Sequence, residues 1–287
     1  DRIGKGIRDA PRDALLVDVT PPGSRGSGFG LRLALYTVGA IVGPLTAMAL
    51  MVLSDGDFRL VFAVAAIPAF ASVAALLLWV TEPAVPVPGG ERRPLLRRGD
   101  LARLPPAFWW AIAVASLLAL ARCSYAFLIL GAHHAGVDAA LVPLMLVLMH
   151  VVYSAAAYPC GVLADRSDRR RQLGVGIFVL IAADLALAAD GPVWLVAVGA
   201  GLWGLQLGVT QGLLSAAIAD AAPEDLRGTS FGIYETAIGV ATFLASAGAG
   251  LLWAMAGPAA TFGTGAAIAA AAGILLLLRP APGAAAR

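Results

Sequence analysis

Three ionisable side chains lie well inside apolar stretches of this sequence of 287 residues. They are Arg122, His150 and Glu235, and two amide side chains, Gln206 and Gln211, have similar surroundings. A charged group in a lipid environment costs about 2.5 kcal/mol or more, so it is retained where it pairs with another group, binds a ligand or transfers a proton. These five residues are therefore the first candidates for a substrate or proton site.

Each ionisable group has two possible roles. Glu235 could couple proton transfer to a conformational change, because burial favours its neutral form and a nearby cation favours its charged form. It could equally form a structural ion pair. Arg122 could bind an anionic substrate or pair with a carboxylate. His150 could carry a proton near neutral pH or could make only a structural hydrogen bond.

The sequence offers little support for an enzyme. It contains no H-E-x-x-H zinc motif, no G-x-x-x-x-G-K-[ST] phosphate-binding loop and no cysteine–histidine spacing typical of a metal site. His150 and Ser154 are four residues apart and could place a base beside a hydroxyl nucleophile, which is the one enzymatic alternative. We therefore predict a protein that is not an enzyme and that uses no cofactor and no metal.

The composition is that of an integral membrane protein. Hydrophobic residues make up 60% of the chain and charged residues 13%, whereas soluble domains carry about 25% charged residues. Mean hydropathy is +0.84. The formal net charge of +2 arises from 20 basic and 18 acidic residues, a balance that does not indicate a nucleic acid as partner. The expected partner is the lipid bilayer.

Eight stretches are apolar enough to cross a bilayer, which requires about 20 residues in a helix. They lack the alternation of barrel strands, so the predicted fold class is all-α. Their bounds are 29–53, 59–80, 107–130, 139–164, 172–189, 193–219, 228–254 and 261–278. Turn-forming residues separate several of them, including 54–57 and the pair Gly257-Pro258.

A polar segment divides the chain into two bundles. Residues 81–106 contain six prolines and five arginines, a composition typical of a flexible linker. The predicted organisation is a first bundle at 1–80, the linker at 81–106, a second bundle at 107–279 and a tail at 280–287. Because arginine-rich loops stay on the cytoplasmic side of a membrane, the linker and the tail are predicted to be cytoplasmic.

Two segments of the chain repeat each other. Residues 18–30 and 220–232 share six identities at one offset, and each segment precedes an apolar stretch. The identical residues are Asp18, Pro21, Arg25, Gly26, Phe29 and Gly30 in the first copy and Asp220, Pro223, Arg227, Gly228, Phe231 and Gly232 in the second. Transporters built from two parallel halves give such a pattern. The offset also predicts that three further helices precede residue 1 in a complete protein.

These features resemble the major facilitator superfamily, whose twelve helices form two halves. The resemblance covers the whole chain, from the end of the fourth helix to the twelfth. The segment Gly161-Val-Leu-Ala-Asp165-Arg166-Ser-Asp168-Arg169-Arg170 resembles the signature loop of the family between helices eight and nine. Asp168 stands where the family has a second glycine, and we expect it to adopt a left-handed turn, which aspartate tolerates.

Two shorter motifs extend the resemblance into the first half. Residues 2–10 resemble the fourth-helix pattern of the family, and residues 4–15 resemble that of a subgroup of bacterial members. The predicted polar helix at 1–18 either lines a watery cavity or is a cytoplasmic extension paired within itself. Gly39-x-x-x-Gly43-Pro44 resembles a fifth-helix motif associated with antiporters, and such a glycine–proline pair bends a helix.

The resemblance implies where the candidate residues meet. Helices seven, eight, ten and eleven line the cavity in the family, and these helices carry the five residues named first. The complete set of predicted substrate and proton pathway residues is Arg122, His150, Gln206, Gln211, Glu235, Arg32, Tyr36, Arg2 and Lys5. Asp184 lies in the peripheral ninth helix, where we expect it to be structural and to reach the membrane interface.

The signature loop implies a contact between the two halves. Asp165 is expected to hold the start of helix five, Gly26 to Gly30, because the N-terminus of a helix stabilises a carboxylate. Arg166, Arg169 and Arg170 would orient that aspartate. Helix ten has a small residue at every fourth position, at Ala200, Gly204, Gly208, Gly212 and Ala216, which predicts a close packing surface.

The implied function is secondary active transport of a small solute by alternating access, with proton coupling in the direction of export. The implied setting is a monomer in a bacterial cytoplasmic membrane. A proton-coupled importer is one alternative. Another is that a chain without the three preceding helices is a membrane fragment that does not transport.

Overall fold

The computed structural model describes residues 2–79, 98–138, 141–189 and 191–278, and the side chains from residue 8 onward except that of Arg98. All regular structure in these ranges is helical. The helices are α1 (Arg2–Val19), α2 (Arg25–Leu53), α3 (Phe58–Trp79), α4 (Arg98–Ala102), α5 (Pro106–Ala121), α6 (Tyr125–His134), α7 (Pro143–Arg166), α8 (Arg169–Ala188), α9 (Val193–Ala221) and α10 (Arg227–Leu278). The predicted all-α membrane fold is confirmed. Residues 81–97 of the predicted linker and the tail lie outside the described ranges, and α4 lies in the described part of that linker.

Seven helical segments of the described chain are long and apolar enough to cross a membrane. The eight predicted spans correspond to these seven segments because α10 contains two of the predictions. Within α10, Gly257 has φ 75° and ψ −169°, a conformation essentially restricted to glycine. Pro258 follows at once and cannot donate a backbone hydrogen bond. The predicted turn at this pair therefore appears as a sharp kink between two helical arms, 227–256 and 258–278.

The predicted span at 107–130 falls within one membrane-crossing segment, Pro106–His134, but this segment is two helices because the chain breaks between α5 and α6. The backbone is extended at Arg122, with φ −86° and ψ 107°. Ser124 caps α6, and its hydroxyl accepts a hydrogen bond from the Ala126 N–H at 3.3 Å. Serine is favoured as an N-cap because its side chain replaces a missing backbone partner. Arg122 therefore sits at a helix break and not within a helix.

Most of the buried core lies in the second half of the chain. Helices α5 and α7 to α10 supply most of its large side chains, among them Trp203, Phe108 and Phe262. Helix α3 has no buried residue. Helix α2 buries one face, with Phe29, Leu33 and Thr37 at four-residue spacing, which is the spacing of one side of a helix.

The small-residue surface predicted on helix ten is confirmed, and it belongs to α9. All five of its residues are buried. A methyl group at Gly204 would strike the Met149 carbonyl oxygen of α7, and one at Gly208 would lie 2.6 Å from the Ala156 side chain. Backbones can come this close only where side chains are absent, so α9 is packed directly on α7.

Candidate functional site

Ion pairs connect the two repeat segments at one end of the helix bundle. We call this end, where residues 18–27, 161–169 and 219–227 meet, the signature-loop end. Arg25 of the first repeat lies 2.6 Å from the Asp220 carboxylate of the second, and Arg227 of the second lies 2.6 Å from Asp18 of the first. Each repeat therefore supplies an aspartate to the arginine of the other.

The two ion pairs have different surroundings. Arg25 is buried and also donates to the Ala219 carbonyl at 3.1 Å. Asp220 receives a second guanidinium from Arg169 of the signature loop. In the other pair, the side chain of Asp18 is 32% exposed and that of Arg227 is 17% exposed. Because exposed ion pairs contribute little and buried ones are costly to break, the Arg25–Asp220 pair is the stronger connection.

The predicted contact of Asp165 with the start of helix five is confirmed. Its two carboxylate oxygens accept hydrogen bonds from the backbone N–H groups of Gly26 at 2.7 Å and Ser27 at 2.8 Å. These N–H groups belong to the first turn of α2, where a helix has no internal acceptors for them. A carboxylate at this position is also stabilised by the partial positive charge of the helix terminus.

Glycines allow this contact by bringing α2 against α7. A methyl group at Gly161 would strike the carbonyl oxygen of Gly26 and lie 3.1 Å from the Gly30 Cα. A methyl group at Gly30 would lie 2.5 Å from the Ala157 carbonyl oxygen. The first glycine of the signature loop is therefore a packing residue that lets Asp165 reach its two donors.

The other signature-loop residues have separate roles. Arg169 also donates to the Ala164 carbonyl at 3.3 Å, and Arg170 donates to the Leu277 carbonyl of α10 at 3.0 Å. Arg166 is exposed. Asp168 caps α8 by accepting a hydrogen bond from the Arg170 N–H at 2.9 Å. Its φ is −68°, so the expected left-handed turn is wrong: the residue serves as an N-cap in extended backbone.

A second charged cluster joins α1, α2 and α10. Asp13 is 1% exposed and lies 3.0 Å from Arg12 and 3.1 Å from Arg32 of α2. Arg12 also pairs with Asp9 at 2.9 Å. Glu235 of α10 is half-buried within the electrostatic reach of Arg32 and Asp13. The described charges of α1 are thus paired within that helix, with α2 and, through Asp18, with α10. The side chains of Arg2 and Lys5 lie outside the described part of the chain.

A cavity of about 700 Å³ opens at the break between α5 and α6. Arg122, Tyr125 and Gln211 line it, together with Thr242 and Phe243 of α10. The cavity therefore combines one guanidinium with hydroxyl, amide and aromatic groups. Such a mixture can hold a polar group of a solute while its apolar part meets an aromatic ring.

Two further predicted residues adjoin this cavity. The Arg122 guanidinium lies 3.5 Å from the Gln206 Oε1, and the Gln206 amide donates to the Thr210 hydroxyl at 2.9 Å. His150 packs edge-on against Tyr125 with the ring centroids 5.9 Å apart. The structure thus brings together four of the five second-half candidates. The fifth, Glu235, belongs to the charged cluster with Arg32.

A second cavity, of about 940 Å³, lies along α5 and α10, which also contribute to the first cavity. It is lined by Ser116 and Leu120 of α5, by residues between Gly228 and Leu244 of α10, and by Ala10 and Pro11 of α1. Most of its wall is apolar. Glu235 is not one of its lining residues. The groove between α5 and α10 thus has an apolar part and a polar part, the latter at Arg122.

Other candidates from the sequence are placed apart from the cavities. Tyr36 is 55% exposed. Helix α2 continues through Pro44, and a methyl group at Gly39 or Gly43 would meet no described atom within 4 Å. The role of this glycine–proline motif stays a prediction.

The enzymatic alternative is not supported by the geometry of its two residues. The Ser154 hydroxyl donates to the Ala34 carbonyl at 3.0 Å, and the His150 Nδ1 lies 2.7 Å from the Leu146 carbonyl oxygen. Each side chain is therefore engaged with the backbone. The segment 228–232 matches G-x-S-x-G, a motif in which serine hydrolases place the nucleophilic serine at an exposed turn between a strand and a helix. Here Ser230 is fully buried in the first turns of α10, and a 3₁₀ turn precedes that helix instead of a strand. The local structure therefore does not fit this motif.

The expectation that Asp184 reaches the membrane interface is wrong. The residue is 1% exposed, and its Oδ1 accepts a hydrogen bond from the Trp203 indole N–H at 2.8 Å. Its position five residues before the end of an apolar stretch suggested access to water, but α9 and α10 cover this face of α8.

The sequence analysis did not predict the ion pairs between the two repeats. The aspartate and the arginine present in both repeats were the available signal for them.

Comparison with known proteins settles the family. The model of the Major Facilitator Superfamily matches residues 2–132 and 122–287. The chain belongs to this superfamily. An uncharacterized MFS-type transporter of Methanocaldococcus jannaschii is 30% identical over 283 residues, which cover 96% of this chain and 69% of that protein. The superfamily is one of secondary transporters, so membership favours transport over enzymatic activity.

Two further similarities agree with this assignment. An uncharacterized protein of Mycobacterium tuberculosis is 27% identical over 259 residues, covering 88% of this chain and 62% of that protein. The crystal structure of the human organic anion transporter MFSD10 has a TM-score of 0.67 at 16% identity, covering 93% of this chain and 67% of that one. The second likeness shows a shared fold. The chain spans about two thirds of the length of these proteins.

Proposed function

We propose that the chain acts as a secondary active transporter that moves a small amphipathic solute by alternating access and exchanges it for protons in the direction of export. The observation that carries this proposal is the contact between the repeat segments at the signature-loop end. Alternating access requires one end of the bundle to close by contacts that can also break. The reciprocal ion pairs and the Asp165 hydrogen bonds are contacts of this kind.

The solute class follows from the groove between α5 and α10. Its apolar cavity can accept the body of a solute, and the cavity at Arg122 offers a guanidinium and hydrogen-bonding groups for a polar head. Because both cavities are lined by the same two helices, one molecule can use both. Movement of α10 relative to α5 would then couple solute binding to the state of the signature-loop end.

Proton coupling is assigned first to Glu235. This carboxyl group is half-buried within the electrostatic reach of Arg32 and Asp13, so a proton there changes the charge balance of that cluster. Exchange in the direction of export rests on the resemblance of the Gly39–Pro44 motif to that of antiporters. We place the protein as a monomer in the bacterial cytoplasmic membrane, with the signature-loop end facing the cytoplasm.

Everted membrane vesicles containing the chain test this function. A pH-sensitive dye reports proton release from energised vesicles when each member of a panel of amphipathic anions, cations and neutral compounds is added. We expect at least one compound to release protons in a chain-dependent way. Glu235→Gln should abolish that signal, whereas Asp55→Asn should retain it because Asp55 is exposed in the turn between α2 and α3 and asparagine tolerates its positive φ. Equal signals from vesicles with and without the chain across the panel would refute proton exchange.

A further inference from the structure

Asp184 is a buried acid that the proposed transport site does not use. Its side chain lies in α8 and is 1% exposed. The Oδ1 atom accepts the Trp203 indole hydrogen bond at 2.8 Å. The Oδ2 atom is buried and has no hydrogen-bond partner among the described residues. A carboxylate with a single neutral donor and one unpartnered oxygen is expensive in such an interior, whereas the neutral acid is not.

A backbone acceptor lies beside the unpartnered oxygen. A methyl group at Gly265 of α10 would lie 2.8 Å from the Asp184 Oδ2 and 2.7 Å from the Ala121 carbonyl oxygen. The two oxygens therefore flank the same small space, which glycine leaves open. Ala121 is the last residue of α5, and the final carbonyls of a helix lack partners within it. Two acceptor oxygens that border one small space are better accommodated when one of them carries a proton or when a cation lies between them.

The break between α5 and α6 connects this space to the polar cavity. Arg122 and Cys123 directly follow Ala121 and line the cavity of about 700 Å³. They are also the titratable groups of neighbouring elements that interact electrostatically with Asp184. In membrane transporters, the carbonyls at the ends of broken helices commonly bind coupling ions.

We propose that Asp184 is a proton-binding site, with the proton carried on Oδ2 towards the Ala121 carbonyl and with Oδ1 held by Trp203. Only its role in coupling depends on the function proposed above. A proton suits the space better than a metal ion, because hard cations take six or more oxygen ligands and the structure brings two oxygens here. No group of three or more His, Cys, Asp or Glu side chains suited to a metal occurs in the described part of the chain.

Infrared difference spectroscopy of the purified full chain in lipid nanodiscs tests the proposal. A pH titration should show a carbonyl-stretch band of a protonated carboxyl group that disappears as the acid ionises and that shifts in D₂O. Asp184→Asn should remove this band, and Asp168→Asn, at the exposed acid that caps the same helix, should leave it in place. A spectrum in which Asp184→Asn removes no titrating band contradicts the proposal.

A second variant tests the proposal even if Asp184→Asn does not fold. Trp203→Phe removes the hydrogen bond to the carbonyl oxygen and should move the band to higher frequency. Trp194→Phe, at a tryptophan that is 64% exposed, should leave the frequency unchanged. Equal frequencies in both variants would mean that the band does not come from Asp184.

Sodium is the competing ligand. The titration is repeated with sodium chloride in place of choline chloride, and the midpoint should not move. A midpoint that depends on sodium overturns the proposal in favour of a sodium site. The vesicle assay separates the two claims: a titrating Asp184 band without solute-driven proton release would defeat the proposed function alone, and the reverse result would defeat this inference alone.

Discussion

The reciprocal ion pairs at the signature-loop end predict unequal effects from equivalent substitutions. Asp18 and Asp220 occupy the same position in the two repeats, yet Asp220 has two guanidinium partners, Arg25 and Arg169. Asp220→Asn leaves Arg25 buried without its carboxylate. Asp18→Asn leaves Arg227 at a more exposed position. We therefore expect the signature-loop end to open far more readily in Asp220→Asn than in Asp18→Asn.

The exposure of the partners sets the magnitude. The Arg25 side chain is 8% exposed and that of Asp220 is 33% exposed, so this pair is intermediate between a buried and a surface ion pair, and its loss costs about 2 kcal/mol. At 1.4 kcal/mol for each factor of ten, the equilibrium between closed and open forms shifts about thirtyfold. In the Asp18 pair the arginine is more exposed, at 17%, and it keeps the Glu224 carboxylate 3.6 Å away, so the loss of this pair costs about 1 kcal/mol, which is a shift of about fivefold.

Spin-label distance measurements detect this opening directly. Labels at Ser24 and Ser167, both exposed residues at the signature-loop end, lie on the two sides of the contact between α2 and the signature loop. The two free cysteines, Cys123 and Cys160, are first replaced by alanine. The closed form should give a short distance, and Asp220→Asn should add a longer distance that Asp18→Asn adds only weakly.

Two controls test whether the loss of these ion pairs itself causes the opening. Asp55→Asn removes an exposed acid in the turn between α2 and α3, away from the signature-loop end, and it should leave the distances unchanged. The single variants Asp18→Arg and Arg227→Asp each place like charges together and should reduce the closed distance population. The double variant Asp18→Arg with Arg227→Asp restores opposite charges and should recover it. If Asp18→Asn opens this end as much as Asp220→Asn does, the assignment of unequal strengths is wrong.

Two further predictions concern glycines with matched controls. Gly161→Ala should lower the stability of the detergent-solubilised chain by about 2 kcal/mol, because the added methyl group meets the Gly26 carbonyl oxygen. Gly232→Ala is the control, since a methyl group there meets no atom within 4 Å. Similar unfolding temperatures for the two variants would contradict the close packing of α2 on α7. Gly257→Ala should lower the free energy of unfolding by about 1–3 kcal/mol, because the backbone conformation at this position disfavours a side chain. Gly248→Ala should leave it unchanged, since Gly248 has open space around it and no positive φ. An unchanged unfolding temperature in Gly257→Ala would mean that the two arms of α10 are not joined by this kink.

The sequence was sufficient for the fold because the apolar segments are long and their turns are marked. Gly257-Pro258 and the turn at residues 54–57 were identified from residue type alone, and the structure shows positive φ values at Asp55, Gly56 and Gly257. The break at Arg122 was missed because hydropathy alone does not distinguish one long helix from two short ones. The capping preference of Ser124 was the available signal.

The candidate site was predicted less completely, since contacts between distant segments depend on how helices pack. The resemblance correctly led from Asp165 to the start of α2. It did not identify Asp13, which pairs with Arg32 from another helix. It also misplaced Asp184, because distance along a helix from its end does not say whether neighbouring helices cover that face.

The repeat acquires a physical explanation from the ion pairs. If two similar halves pack around a pseudo-twofold axis, any group of one half that lies near the axis faces the same segment of the other half. An aspartate and an arginine seven positions apart in each repeat can then pair only in exchange, Asp18 with Arg227 and Asp220 with Arg25. One local motif, present twice, thus produces two connections between the halves. The added guanidinium of Arg169 makes the two connections unequal, so the end can loosen first at Asp18 while Asp220 still holds the halves together.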